Sequence, residues 1–326
     1  MNLAIIGCGN IGFRHFQSIL NLKCNCQIFL IDNSVTALSN CKKYLDANPN
    51  LNLKISFFDN FDKISSNLDI IIIATSAFPR RNIIEKIYDR KKPKYIILEK
   101  FLFPKLEDYK FCENLFTINK TKVWVNQWMG NEFENLKKYF PSNEKIDFKV
   151  SGENWGLCCN SVHYIDWFHS LVNREEMEVK SINIEHKLYE SKRTGYYELF
   201  GNYEIISKSG HRMILKCDRN EKKKEEDREI FINIHNIKNQ MIAELKPEYL
   251  DCKINQLYNK SSFNTKIPIK YQSQRTSHII QNLINSDTCN LVSYENSVKH
   301  HLLIFEMINN IFKSTGYDVS KGIPIT

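Results

Sequence analysis

Six residues near the N-terminus have the spacing of a phosphate cradle: Gly7-Cys8-Gly9-Asn10-Ile11-Gly12. Glycines in this pattern let a backbone turn tightly, approach a diphosphate closely and enter a helix whose first N–H groups and positive end face the anion. A strand-like segment, Leu3–Gly7, precedes the run and a helix-like one, Ile11–Leu20, follows it, which is the context such a turn requires. A second strand-like segment, Gln27–Asp32, ends in a carboxylate. Asp32 at that place can accept from both ribose hydroxyls of an adenosine and would repel a 2′-phosphate, so the pattern points to NAD(H) ahead of NADP(H). The plainer alternatives are a tight turn with no ligand and, for Asp32, a turn-forming Asp before Asn33 and Ser34. Farther along, Cys159, His163 and Asp166 have the offsets that place three side chains on one helix face. Asp166 could orient the His163 imidazole for acid/base or hydrogen-bonding work. A structural histidine with an ion-pair partner is the alternative.

The elements that must carry these groups can be read from the pattern. Through the first third, short apolar runs alternate with amphipathic ones. Strands are expected at Leu3–Gly7, Gln27–Asp32, Lys54–Phe58, Asp69–Thr75, Tyr95–Glu99 and Lys122–Asn126, with helices at Ile11–Leu20, Val35–Leu45, Pro79–Arg90 and Leu106–Asn119. Repeated strand–helix alternation implies a doubly wound parallel sheet, a Rossmann fold, with Ile70–Ile73 buried on both faces. Beyond residue 127 the rhythm changes. Helices are expected at Glu132–Tyr139 and Ser161–Val172, then strands at Glu178–Glu190, Tyr197–Ser207, Arg212–Cys217 and Glu229–His235, joined by turns such as Lys208-Ser209-Gly210. That is an α+β domain with an open, mainly antiparallel sheet. Lys253–Lys270 reads as a loop, and helices Ser277–Asn285 and Tyr294–Lys313 close the chain. The expected domains are 1–127 and 128–326.

Bulk properties agree with a soluble two-domain protein. The chain has 326 residues, 42% hydrophobic and 25% charged, and no apolar run long enough to span a bilayer. The N-terminal apolar run leads straight into the glycine turn, unlike a signal peptide. Ten cysteines lack zinc-ligand spacing, so no metal site is expected and reduced thiols in the cytoplasm are. The net charge of +8 fits a Lys- and Asn-rich composition, and no motif for nucleic acid or membrane accompanies it. The run Glu221 to Glu229 carries both signs and reads as a solvated hairpin end.

In order along the chain, four landmarks resemble the glucose–fructose oxidoreductase / inositol dehydrogenase (Gfo/Idh/MocA) family: the glycine turn, Ala74-Thr75-Ser76 after a buried strand, Glu99-Lys100, and the helix from Gly156 to Asp166. The resemblance implies a sheet whose outer face serves homo-oligomers, dimers or tetramers, and a final helix that packs back on the fold. It implies cofactor contacts from Gly7, Gly9, Asn10, Ile11, Gly12, Asp32, Ala74, Thr75, Ser76, Glu99, Lys100 and Asn126. Lys100 would be the catalytic lysine, hydrogen-bonding the oxygen of the carbon that gains or loses hydride. His163 would share the proton work, beside Cys159 and Asp166. Asn126, Trp155 and Asn160 could meet the substrate, although each also reads as a cap or core residue. Arg80 and Arg81 could touch a phosphate or remain solvated. The implied reaction is hydride transfer between NAD (NADP less favoured) and a carbinol or keto carbon of a sugar, cyclitol or nucleotide-linked sugar.

Two residues depart from that pattern. Cys159 stands where the family usually has Asp, and a thiol is a weaker acceptor. Phe101 stands where the family usually has Pro after a peptide that is often cis. These departures leave two other readings open: an NAD-binding regulator or scaffold without chemistry, or a redox-neutral NAD-dependent sugar-modifying enzyme.

Overall fold

Ile70–Ile73 is four consecutive isoleucines, and it forms the strand that such a run demands, with every side chain fully buried. Each contributes about 1.5–3 kcal/mol of apolar burial to the sheet it centres. The computed structural model describes residues 1–48, 53–222 and 229–325. Its first part runs β1 (Asn2–Ile6), α1 (Asn10–Ile19), β2 (Gln27–Ile31), α2 (Val35–Asp46), β3 (Lys54–Phe58), β4 (Ile70–Ile73), α3 (Ala77–Arg90), β5 (Tyr95–Leu98), α4 (Leu106–Ile118) and β6 (Lys122–Val125). The six strands are parallel, in the order β3-β2-β1-β4-β5-β6. The order reverses between β1 and β4, so the carboxyl ends of those strands border the crevice where doubly wound sheets take their ligands.

The next part begins with α5 (Met129–Glu132) and a 3-10 turn, Glu134–Tyr139, where one helix over Glu132–Tyr139 was expected. Then follow β7 (Asp147–Glu153), α6 (Leu157–Leu171), β8 (Met177–Ile184), β9 (Tyr189–Glu190), β10 (Tyr197–Glu198), β11 (Gly201–Ser207), β12 (Arg212–Asp218), β13 (Ile230–His235), β14 (Asn239–Leu245), β15 (Tyr249–Gln256) and β16 (Ser261–Pro268). Eight of these strands form one sheet ordered β16-β15-β14-β13-β7-β12-β11-β8. All its pairs are antiparallel except β7 with β12. β7, absent from the sequence reading, sits centrally between two strands far along the chain.

The expectation of a loop over Lys253–Lys270 is corrected: β15 continues through it and β16 fills it. β16 pairs on one side only, and most of its side chains are exposed. An edge strand held by its backbone ladder needs no apolar alternation, which is why its polar composition reads as loop. Of the charged run Glu221 to Glu229, residues 223–228 lie outside the described residues.

The chain ends with α7 (Gln272–Ser286), β17 (Val292–Ser293) and α8 (Tyr294–Ser314). α7 starts five residues before the expected Ser277. β17 pairs antiparallel with β6. Two compact units result: Met1–Asn126 with Lys270–Tyr294, and Gln127–Ile269 with Glu295–Thr326. Lys270–Tyr294 therefore groups with the first unit, a return of the chain that a single boundary after residue 127 does not contain. In that unit Ile279, Ile280 and Leu283 of α7 share one core with Phe16, Ile19, Leu3 and Ile72. In the second unit, Trp167 of α6 packs against Phe133 and Phe148, ring centroids 4.5 and 5.1 Å away.

Candidate active site

The glycine turn is built by close approach of backbone segments. Gly7 has φ 92°, a left-handed conformation, and a Cβ there would lie 2.9 Å from Thr75. A Cβ on Gly12 would sit 1.8 Å from the Gly7 carbonyl oxygen, so no side chain fits. Gly9 differs: a Cβ there would meet nothing within 4 Å. Two glycines are thus required by the fold, and the third keeps an open approach to the turn. Gly9 is also the N-cap of α1, with no side-chain hydrogen bond to the helix start. The first amides of α1, on Asn10 and Ile11, keep the orphan donors that a diphosphate takes. Cys8 lies beneath the turn, where the neighbouring Cys41 thiol and burial push its pKa up and keep it neutral. A cleft of about 630 Å³ runs from Cys8 and Asn10 along α1 and α2, past Phe13, Ser34 and Tyr44.

Asp32 follows β2 directly. Its Oδ2 accepts from the Cys8 amide at 2.6 Å and its Oδ1 from the Ser34 amide at 2.7 Å. The carboxylate therefore ties the second strand's end to the glycine turn, and Ser34 in turn caps α2 through Ala37 N–H. These residues fit a dinucleotide: an open glycine, uncapped helix amides and an adjacent carboxylate at the switch point.

At the neighbouring strand ends, backbone bonds stack the landmarks in register. The Ala74 amide donates to Ile6 O at 2.8 Å, the Glu99 amide to Ile73 O at 3.1 Å and the Asn126 amide to Leu98 O at 2.8 Å. Glu99 is buried, and its Oε1 accepts from His15 Nε2 at 2.8 Å and from Asn126 Nδ2 at 2.5 Å. Asn126 Nδ2 also donates to Gln272 Oε1 at 2.9 Å, and His15 Nδ1 pairs with Thr276 Oγ1 at 2.8 Å. Among the described residues, buried Thr75 Oγ1 and Asn126 Oδ1 make no hydrogen bond. Buried polar atoms of this kind call for a partner the folded chain does not supply. Lys100 follows this network, half-buried, and the Lys100–Phe101 peptide is cis. Ser76 is the N-cap of α3.

Neither expectation for Arg80 holds. It is fully buried, and its guanidinium donates to the carbonyl oxygens of Thr75, Phe101 and Leu102. Arg81 pairs with Asp108 at 2.8 Å and lies over the Phe111 ring.

In the second unit, α6 begins after Gly156, whose φ is 81°. Its first amides are occupied: Glu198 of β10 accepts from Cys158 N at 2.9 Å and from Cys159 N at 3.4 Å. A carboxylate thus already neutralises the positive end of this helix. His163 is buried against the Trp128 ring, centroids 5.8 Å apart. Asp166 accepts from the Gly130 amide at 3.0 Å, and a Cβ on Gly130 would lie 2.7 Å from its Oδ2. Burial pushes Asp166 up to about 6, against the lowering effect of that amide. Asn160 is not the cap; its Nδ2 donates to Trp155 O at 2.6 Å. Trp155 is fully buried, with its indole N–H on Lys216 O and its ring edge-on to Tyr164. Of its two readings, substrate contact or core residue, the structure gives the second.

The comparisons with known proteins bear on this geometry. Residues 1–127 match the model of the GFO_IDH_MocA oxidoreductase family, NAD-binding Rossmann fold. The match lies within the N-terminal part and covers its glycine turn and parallel strands. No curated protein matches the chain significantly. Solved structures extend the likeness in fold to almost the whole length. An oxidoreductase from Agrobacterium radiobacter, in complex with NAD+, L-tartaric acid and magnesium, superposes with a TM-score of 0.69 at 13% identity, covering 97% of this chain and 96% of that one. A protein assigned as a myo-inositol dehydrogenase from Sinorhizobium meliloti 1021 gives 0.66 at 15% identity, covering 97% of each. A 3-ketoreductase from Actinomadura kijaniata in complex with NADP gives 0.67 at 10%, covering 94% of this chain and 96% of that one.

Within the first unit the structure places Gly7, Asp32, Thr75, Glu99 and Asn126 along the carboxyl ends of neighbouring parallel strands. Three residues of this network, His15, Gln272 and Thr276, have no reading in the sequence analysis. His15 carried a usable signal, standing three residues after Gly12 on the same helix face. Gln272 and Thr276 are hidden because the polar first turn of α7 lacks the apolar periodicity of a helix. Arg80 stands out in sequence only as a possible phosphate contact, and its carbonyl partners lie on two other loops.

Proposed function

We propose that the chain is an NAD-dependent oxidoreductase that moves a hydride between the nicotinamide and a carbinol or keto carbon of a sugar, cyclitol or nucleotide-linked sugar. The observation that carries this reading is the open Gly9 at an uncapped helix start, with Asp32 locked beside it. Asp32 favours NAD over NADP, because a carboxylate there accepts from ribose hydroxyls and repels a phosphate. Nicotinamide supplies or takes the hydride. Ala74, Thr75 and Ser76 line its half of the crevice, and the Glu99–Asn126 pair holds the neighbouring strand ends. Lys100 hydrogen-bonds the reacting oxygen and stabilises its developing charge. His163 serves as the second proton-handling group, on a helix whose Asp166 is committed to Gly130, with Cys159 and Asn160 near its start. The substrate class draws support from the names of the fold's neighbours, an inositol dehydrogenase and a 3-ketoreductase also solved with TDP-benzene and NADP. Exposed Phe231 and Ile242 on adjacent strands β13 and β14 support a homo-oligomer through the outer sheet face. No described helix is long and apolar enough to cross a membrane, and the proposed location is the cytoplasm.

The test is NADH consumption by the purified chain against a panel of keto-sugars, and NAD+ reduction with polyols and cyclitols. At least one compound should change the NADH absorbance, and Lys100→Ala should slow that change by roughly 10²–10⁴-fold. NADH binding with no turnover on any compound would instead favour a non-catalytic dinucleotide-binding protein. NAD that survives purification without net oxidation or reduction would favour a redox-neutral enzyme.

A further inference from the structure

Arg80 lies in the first turns of α3, fully buried, and one guanidinium spans two loops. Its Nη2 donates to Thr75 O at 2.5 Å, just past β4. Its Nη1 donates to Phe101 O and, at 2.6 Å, to Leu102 O, just past β5. Lys100 is the residue immediately before the gripped carbonyls. A guanidinium is planar, permanently charged and presents its donors in a fixed fork, so it sets the spacing of both loops as a flexible ammonium cannot. Arg81, next in sequence, is engaged elsewhere with Asp108 and Phe111, so the bridge falls to Arg80.

We infer that Arg80 is a positioning residue: by clamping the Thr75, Phe101 and Leu102 carbonyls it fixes the backbone that aims the Lys100 ammonium. The assignment rests on the proposed role of Lys100, and its test separates the two. The full chain is reductively methylated with ¹³C-formaldehyde, and the Lys100 dimethylamine resonance is assigned by its loss in Lys100→Ala. In Arg80→Met, and less in Arg80→Lys, that resonance should shift or broaden while the other lysine resonances stay in place. With whichever compound the protein turns over, Arg80→Met should lower kcat by up to roughly 100-fold, the scale of a small misplacement. NADH affinity should hold within about twofold, well under the 1.4 kcal/mol of a tenfold change. On a Lys100→Ala background, Arg80→Met should cost nothing further. An unmoved Lys100 resonance, or a second loss of equal size on the Lys100→Ala background, would overturn the inference. If Lys100→Ala itself keeps full activity, the proposed role of Lys100 fails, and the resonance alone then decides whether Arg80 positions it. Arg80→Lys keeps a buried donor and serves where Arg80→Met does not fold.

Discussion

His15 Nε2 and the Glu99 carboxylate stand 2.8 Å apart, both buried, and join the helix after the glycine turn to the strand end before Lys100. A carboxylate only accepts, so Nε2 carries the proton, and Nδ1 is left to accept from Thr276. His15→Ala should therefore destabilise the protein by about 1–3 kcal/mol, the cost of an unsatisfied buried group. His15→Gln should recover part of it. Urea unfolding of the two variants measures the difference, and equal midpoints would contradict the network.

The three glycines should separate by phenotype. Gly12→Ala places a methyl 1.8 Å from the Gly7 oxygen and should lower the melting temperature and abolish NADH binding together. Gly9→Ala meets open space, so it should melt with the parent while losing NADH affinity, because its methyl occupies the diphosphate approach. Thermal melts paired with NADH fluorescence titrations check both.

Asp32→Ser removes the negative charge beside the adenosine position while keeping a hydroxyl for Cys8 N–H. NADPH affinity should rise relative to NADH by roughly tenfold, corresponding to about 1.4 kcal/mol. Parallel titrations with the two nucleotides read the ratio, which an unchanged value would set against the NAD preference.

Stability should fall on acidification because of the second unit. His169 Nε2 faces Glu175 O at 3.1 Å and its Nδ1 faces His300 Nε2 at 2.8 Å. One neutral tautomer chain satisfies both rings, and an added proton would set N–H against N–H. Burial pushes His169 down to about 4 from the ordinary 6.5, and burial lowers His300 as well. The unfolded chain binds protons that the folded one refuses, so stability is complete above 6.5 and is lost as pH falls toward 4. Asp166, raised to about 6, acts in the opposite sense, favouring the folded state as it gains its proton. Comparison of the parent with His300→Gln isolates the histidine contribution from that of Asp166. Calorimetric melting across this range should show the decline, and His300→Gln should flatten it.

Much of this architecture was legible because its signals were local. Gly7 to Gly12, Asp32 and Ile70–Ile73 announce a turn, an acid closing the second strand and a doubly buried strand from spacing alone. Features set by distant partners were not legible. β7 takes its place from strands sixty and more residues away, and β16 is held by backbone pairing that composition does not record. Glu198 caps α6 from about forty residues away, and Arg80 is buried by carbonyls on two other loops. In each case the deciding contact lies beyond any sequence window.

Calorimetric titration of NADH into the full chain reads the dinucleotide site at the glycine turn without any substrate. Saturable one-site binding is expected, and Gly9→Ala should weaken it without unfolding the protein. No heat of binding from NADH or NADPH, with the parent protein demonstrably folded, would contradict it.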